Sequence, residues 1–379
     1  MKNENNRCAI LIPDGESHFL NYVINCLSTI PRALVYVMTS KNDVAIKFSR
    51  FVHHLTFYEI TSDEHWISCI NSEVDRHDID VILPVFETGI RTLSALRQDL
   101  THPNKLGLLP TTHYFDIAIN KWSLSKHLTQ HQIPHPLTLH VVSGTGDEIQ
   151  GAEQLTFPVL LKPLEGTGGG VGIRKFGDLG SLNSHVNNLS EEREFIVQNC
   201  FDGIDFCSNV LCENGSILAH TIQKHIVHGT KDFAPQLGLQ YIENEEINAI
   251  TERLMKSLNW SGVANIDMRY DSTTGIYHII EVNPRFWGSV EGSMLAGINF
   301  PQLYINTVLG REIGPTTYRY QEFFNLKGVL ARIKKQPSFL FRWRWLWNET
   351  PVKFVLWDFK FYAVRIFRKL FSILRKKFF

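Results

Sequence analysis

Residues 264–289 read ANIDMRYDSTTGIYHIIEVNPRFWGS. Two apolar runs flank a segment of turn formers, so the stretch predicts a β-hairpin. Strand alternation then says which side chains share a face. Glu281 and Asn283 lie two apart on the return strand, and Asp267 can lie opposite them on the first strand. Two carboxylates and an amide oxygen make a hard oxygen site of the kind Mg²⁺ takes, completed by water and phosphate. Arg285 continues that face, and its planar fork suits a phosphoryl or carboxylate group. Asp271 reads as a solvated turn residue. Glu281 sits between Ile280 and Val282. Carboxylates beside apolar strands are costly unless cations pair with them, which favours a cation site over a solvated hairpin.

About a hundred residues upstream, 157–176 reads FPVLLKPLEGTGGGVGIRKF. An apolar strand ends in Lys162, and Gly166, Gly168, Gly169, Gly170 and Gly172 follow before a second β-like run. Glycines let backbone N–H groups approach phosphate closely, and a strand-end lysine adds a point charge. The loop ends Gly172-Ile173-Arg174, so it is not a P-loop, and the dinucleotide fingerprint is also missing. Phosphate cradling is favoured over a flexible linker.

The surrounding chain gives these motifs a setting. Residues 7–110 alternate short apolar strands (AILIP, ALVYVMTS, LTFYEI, DVILPVF) with helical patterns (18–27, HWISCINSEV, ETGIRTLSALRQDL), the mark of parallel βαβ units. KLGLLP reads as one more strand, and 116–132 as one helix stopped by Pro134. Further on, Asn214-Gly215 between apolar runs predicts a hairpin, and 245–260 carries Ile247, Ile250, Leu254 and Leu258 at helical spacing.

Together these features resemble the ATP-grasp superfamily, over about residues 1–310 and most closely its carboxylate–amine ligase-like branch. The marks stand in order: Asn120-Lys121, Lys162 with its glycine loop, the hinge strand EFIVQNCFDGIDF, and the hairpin ending Glu281-Val282-Asn283-Pro284-Arg285. The resemblance implies an α/β N-terminal domain (1–110; a parallel, Rossmann-like half sheet) and an α+β ATP-grasp domain (111–315) of two subdomains hinged near 196–202. It further implies that Lys121 and Lys162 contact ATP phosphates under a loop of Gly166, Thr167, Gly168, Gly169 and Gly170. Gln198, Asn199, Cys200 and Phe201 would read the adenine and Asp205 the ribose. Asp267, Glu281 and Asn283 would hold one or two Mg²⁺, with Mn²⁺ as a substitute, and Arg285 would stabilise the transferred group. The chain departs from the pattern at Gln198, where Glu is common, at Asp267, where many relatives carry Glu, and in a longer hairpin turn.

The implied function is an ADP-forming ligase that activates a carboxylate as an acyl phosphate and joins it to an amine. Two alternatives remain: carboxyphosphate chemistry, and a catalytically silent ATP-binding protein at a membrane surface. Lys224, near His225 and His228, is a further catalytic candidate, weighed against a solvated hairpin end. Glu87 is balanced between ligand contact and helix capping. The remaining histidines, including His53 and His54, show no metal-ligand partner at useful spacing.

The composition, 44% hydrophobic and 20% charged over 379 residues, excludes disorder and collagen-like or disulfide-scaffold classes. Six cysteines without a C-x-x-C pair, and no signal-peptide pattern, read as reduced thiols of a cytoplasmic protein. The net charge of zero conceals a division. Residues 331–379 hold 13 Lys/Arg against 2 Asp/Glu, a net +11, and the rest carries −11. This basic, aromatic extension (316–379) contains FRWRWLW at 341–347. It then predicts a helix with Arg365, Arg368, Lys369, Arg375 and Lys376 on one face and Ala363, Ile366, Phe367, Leu370, Ile373 and Leu374 on the other. The pattern suits an anionic membrane surface through 340–379; packing on the body or between copies is the alternative, nucleic acid is disfavoured, and a homodimer is left open.

Overall fold

The computed structural model describes residues 7–144, 148–164, 170–189, 191–227, 229, 236–314 and 316–378, with backbone alone at 373, 374 and 376–378. The first layer is built from β1 (Cys8–Ile12), α1 (Leu20–Leu27), β2 (Ala33–Thr39), β3 (Val52–Phe57), α2 (Asp63–His77), β4 (Val81–Ile82) and α3 (Glu87–Ala95). Its four strands are parallel in the order β3-β2-β1-β4, half of a doubly wound sheet. The order reverses beside β1, so the carboxyl ends of β1 and β4 flank the crevice where such sheets take ligands. There Asp14 accepts the backbone N–H groups of Val85 (2.9 Å) and Phe86 (2.7 Å), fixing the start of α3.

KLGLLP is not a strand of this sheet. Leu106 makes one isolated bridge to Ile82. The Arg97 guanidinium takes the carbonyls of Pro103, Leu106 and Gly107 at 2.6–3.1 Å, so those acceptors are withdrawn from a ladder. The single helix expected over 116–132 is two, α4 (Thr112–Ile119) and α5 (Lys121–Gln130). Asn120 breaks them and caps α5, its Oδ1 accepting from Ser123 N at 2.9 Å.

A small antiparallel sheet follows, ordered β5-β8-β6-β7, from β5 (Thr138–Val142), β6 (Val159–Pro163), β7 (Arg174–Phe176) and β8 (Glu194–Asn199), with α6 (Leu179–Asn187) against it. The large antiparallel sheet, ordered β13-β12-β9-β10-β11-β14, is built from β9 (Gly203–Glu213), β10 (Ser216–Val227), β11 (Gly238–Ile242), β12 (Gly262–Asp271), β13 (Ile276–Asn283) and β14 (Glu322–Phe324). The β9–β10 turn places Asn214 and Gly215 at φ 47° and 80°, the left-handed pair a two-residue hairpin needs. One sheet face is covered by α7 (Glu245–Ser257) through Ile247, Ile250 and Leu254. The other packs with α8 (Val290–Ala296) and α9 (Phe300–Val308) on the first layer, in a core joining Val23, Leu211 and Phe286.

The C-terminal extension is no detached appendage. β14 lengthens the large sheet, and α10 (Leu326–Lys335), α11 (Trp343–Asn348), α12 (Val352–Trp357) and α13 (Phe359–Phe378) follow it. Leu346 and Phe354 are buried, and Phe361 and Tyr362 join the central core. Asp358 is buried against Ser49 Oγ and the Arg50 N–H (2.9 Å). The face of α13 turned to the body carries Phe361, Tyr362 and two of the basic residues, Arg365 and Arg368. Arg365 donates to Asn21 Oδ1 at 3.1 Å and Arg368 pairs with Asp43 at 2.6 Å. Its apolar face, Ile366, Phe367, Leu370 and Phe371, is 55–70% exposed. No described helix is long and apolar enough to cross a membrane.

Candidate active site

The hairpin β12–β13 pairs Asp267 directly with Glu281 and Asn265 with Asn283, so all four stand on one face. The bulge after Asp267 shifts the register only beyond this pair. Asn283 Nδ2 donates to Asp267 Oδ2 and to Asn265 Oδ1, each at 3.2 Å, and Asn265 Nδ2 donates to Asn209 at 2.9 Å. On β9, the Cys207 thiol donates to Asp267 Oδ1 at 2.9 Å, with His225 Nε2 3.2 Å from the sulfur. Burial, then the facing charge of Glu281, pushes the Asp267 carboxyl up to about 6. Two carboxylates held opposite each other in this way fit a divalent cation, whose charge would reverse that shift.

Arg285 gathers the next groups. Its Nε donates to Glu87 Oε1 (2.9 Å), Nη2 to Asn283 Oδ1 (2.8 Å) and Nη1 to the Phe286 carbonyl (3.0 Å). The guanidinium lies 4.2 Å from the Phe19 ring centroid. Glu87 opens α3, so the ion pair ties the first layer to the hairpin. Glu87 thus serves the site as well as the helix start. Burial pushes its carboxyl up, and Arg285 opposes that shift.

Lys162 is the penultimate residue of β6 and is buried. Its Nζ donates to Gln198 Oε1 at 2.6 Å, and Gln198 Nε2 donates to Thr138 Oγ1 at 2.9 Å. Burial lowers the ammonium to about 8, while the charge of Glu281 holds it up. An amide at 198 therefore fixes the lysine without neutralising it. Lys121 opens α5, and its N–H donates to the Leu164 carbonyl at 3.1 Å, joining α5 to the strand before the glycine segment.

One cavity of about 530 Å³ brings together Lys121, Gly170, Asp267, Glu281, Asn283 and Arg285 from the sequence reading. Gly166, Thr167, Gly168, Gly169 and His228 lie outside the described residues. Lys162, Gln198, Asn199, Cys200, Phe201, Asp205 and Lys224 do not line it. The Cys200 N–H is taken by the Pro158 carbonyl (2.9 Å) and the Phe201 carbonyl by Arg269 (3.0 Å). The Asp205 carboxylate is held by Arg269 at 2.6 Å. Lys224 has the parity of Ile222, which packs under α7, while Gln223 and His225 face the cavity in its place. Sequence reasoning also missed Cys207, Asn265 and Arg269. Asn265 and Arg269 were signalled, each two residues from Asp267; Cys207 carried no local signal.

A family model described as ATP-grasp in the biosynthetic pathway with Ter operon matches residues 191–327, which carry β8 to β14. The carbamoyl phosphate synthase large chain of Thermoanaerobacter pseudethanolicus is 26% identical over 227 residues, 57% of this chain and 21% of that one. This chain spans about a fifth to a quarter of the curated relatives it matches. Among solved structures, N5-carboxyaminoimidazole synthetase from Staphylococcus aureus complexed with ADP aligns with a TM-score of 0.67 at 14% identity, covering 87% of each chain. L-amino acid ligase from Bacillus licheniformis aligns with a TM-score of 0.59 at 17% identity, covering 84% of this chain and 78% of that one. These likenesses carry the fold, and residues 191–327, which contain the carboxylate hairpin itself, match the ATP-grasp family.

Proposed function

We propose that this protein is an ATP- and magnesium-dependent ligase that activates a carboxylate as an acyl phosphate and joins it to an amine. One observation carries the reading. A single cavity holds Asp267, Glu281, Asn283 and Arg285 together with Lys121 and Gly170. Lys121, Lys162 and the segment 166–170 would hold the ATP phosphates, and the backbone of 198–201 the adenine. Asp205 would reach a ribose only by exchanging its partner Arg269. Asp267, Glu281 and Asn283 would hold one or two Mg²⁺, or Mn²⁺, whose charge offsets that of the phosphates when bound.

The γ-phosphoryl group would pass to a substrate carboxylate oxygen, with ADP leaving. The amine nitrogen would then attack the carbonyl carbon, phosphate would leave, and the amine proton would pass to solvent. Arg285, held at three points, offers a fixed positive charge where the phosphoryl group transfers. Gln223 and His225, which line the cavity where Lys224 does not, would be the polar groups that β10 offers a substrate.

Hydroxylamine trapping with ATP, Mg²⁺ and a panel of carboxylates tests the reading. A hydroxamate from one carboxylate, lost in Glu281→Gln, is expected. No hydroxamate from any carboxylate, with Glu281→Gln binding nucleotide as the wild type does, would sink it.

We also propose that the exposed apolar face of α13 docks on an anionic membrane surface from the cytoplasmic side. The exposure of Ile366, Phe367, Leu370 and Phe371 on a helix flanked by Lys369 and Arg375 supports this. Vesicles containing anionic lipid should sediment the full chain, and Phe367→Ser/Leu370→Ser/Phe371→Ser should release it. Equal sedimentation of both proteins counts against the docking face.

A further inference from the structure

We propose that His54, Glu73 and His77 form a binding site for a borderline transition-metal dication of the Zn²⁺ type, separate from the carboxylate hairpin. Each offers one ligand atom, and these atoms lie within 4.8 Å of one another. Glu73 and His77 are one turn apart on α2, and His54 lies on the edge strand β3. The sequence concealed the group, because His54 is far from the other two along the chain and becomes their neighbour only when α2 packs back on the sheet.

Two features distinguish this cluster from a solvated one. The Nε2 atom of His77 is buried and has no hydrogen-bond partner among the described residues. It faces Glu73 Oε2 at 3.6 Å, too far for a hydrogen bond. Glu73 is itself 1% exposed and firmly held. Its Oε1 accepts from Tyr58 OH (2.8 Å) and Arg76 (3.0 Å), while Oε2 accepts only from Thr56 (2.7 Å) and keeps a lone pair toward His77. A ligating carboxylate oriented by outer hydrogen bonds is the usual arrangement of a metal centre.

The donor set selects the ion. Two imidazoles and one carboxylate suit Zn²⁺ and its neighbours, not Mg²⁺. Tetrahedral coordination at Zn–N and Zn–O of about 2.1 Å needs ligand atoms roughly 3.4 Å apart, so small rotations of His54 and His77 complete the site. The two rings already lie 4.8 Å apart, with Tyr36 against His77 at 4.9 Å. Because His54 is exposed, the fourth position opens to water. A bound ion would clip the edge strand β3 to α2.

Calorimetric titration of the full chain with ZnCl₂, without nucleotide, tests the site. One equivalent should bind, and excess Mg²⁺ should not displace it. His54→Ala and His77→Ala should each weaken it about tenfold or more, and Glu281→Gln should leave it unchanged. Co²⁺ in place of Zn²⁺ should give the visible absorption of a tetrahedral nitrogen and oxygen site, lost in His54→Ala. Absence of binding overturns the proposal, as does binding that survives both histidine variants or disappears in Glu281→Gln. Because Glu281→Gln separates the two sites, failure here is distinguishable from failure of the ligase reading.

Discussion

Replacing Arg285 by methionine should show how far one side chain couples the first layer to the hairpin. Arg285 and Glu87 are 12% and 18% exposed and meet at 2.9 Å. Loss of the guanidinium leaves Glu87 near the charge of Glu281 with only the weaker influence of Lys121 to offset it, and leaves Asn283 Oδ1 and the Phe286 carbonyl without their donor. Breaking a buried pair from one side costs about 3–5 kcal/mol. The lower end applies here, because the Glu87 carboxyl is already pushed up and can take a proton. The loss should therefore be about 3 kcal/mol near pH 8 and should shrink as the pH falls, because the raised Glu87 carboxyl then takes up a proton. Glu87→Gln in the Arg285→Met background should recover part of it, with a coupling of about 1.5–3 kcal/mol. Urea unfolding followed by circular dichroism on all four proteins of the cycle measures this, provided the m-values agree. Additivity within about 0.5 kcal/mol would refute the reasoning, since the pair would then act as two independent charges.

Three further outcomes follow from the packing. Burial pushes the Glu291 carboxyl up to about 8, beside Asn25, Tyr362, Arg365 and Lys353. A folded-state pKa above the unfolded value gives stability that is complete below about pH 4.5 and lost as the pH rises through about 8, up to roughly 5 kcal/mol. Glu291→Gln should flatten that fall, and parallel stability curves from about pH 5 to 9 would refute it. At Gly203 an added Cβ would sit 1.9 Å from the Tyr270 carbonyl oxygen, so Gly203→Ala should cost about 1–3 kcal/mol and loosen the start of β9; an unchanged thermal midpoint speaks against this. A chain ending at Arg365 should keep its stability within about 1 kcal/mol. One ending at Thr350 gives up buried Phe354, Phe361 and Tyr362, at about 1.5–3 kcal/mol each, and equal unfolding midpoints for the two truncations would contradict that role.

The extension shows where charge and pattern in the sequence were informative and where they were not. Helical spacing separated Arg365 and Arg368 from Ile366, Phe367 and Leu370 on α13, but either side could have turned inward. The body presents Asn21 and Asp43 to α13, so Arg365 and Arg368 are held and Ile366, Phe367 and Leu370 are left exposed. On β10 the parity was written in Ile222 and Ile226, which share the face of Lys224. Reading it would have pointed to Gln223 and His225.

Sequence alone determined what depends on neighbours along the chain. The period of two set Asp267, Glu281 and Asn283 on one hairpin face, Asn-Gly supplied the left-handed turn of β9–β10, and alternating strands and helices gave a parallel half sheet. Tertiary structure decided what depends on distant segments meeting. Glu87 reaches Arg285 across 198 residues, Cys207 comes under Asp267, and His54 comes beside Glu73 and His77. Local geometry limits a side chain to a face of its element. Only the packing of whole elements, driven by burial of apolar area that no single segment can achieve, chooses which face is covered and which polar groups are brought into reach.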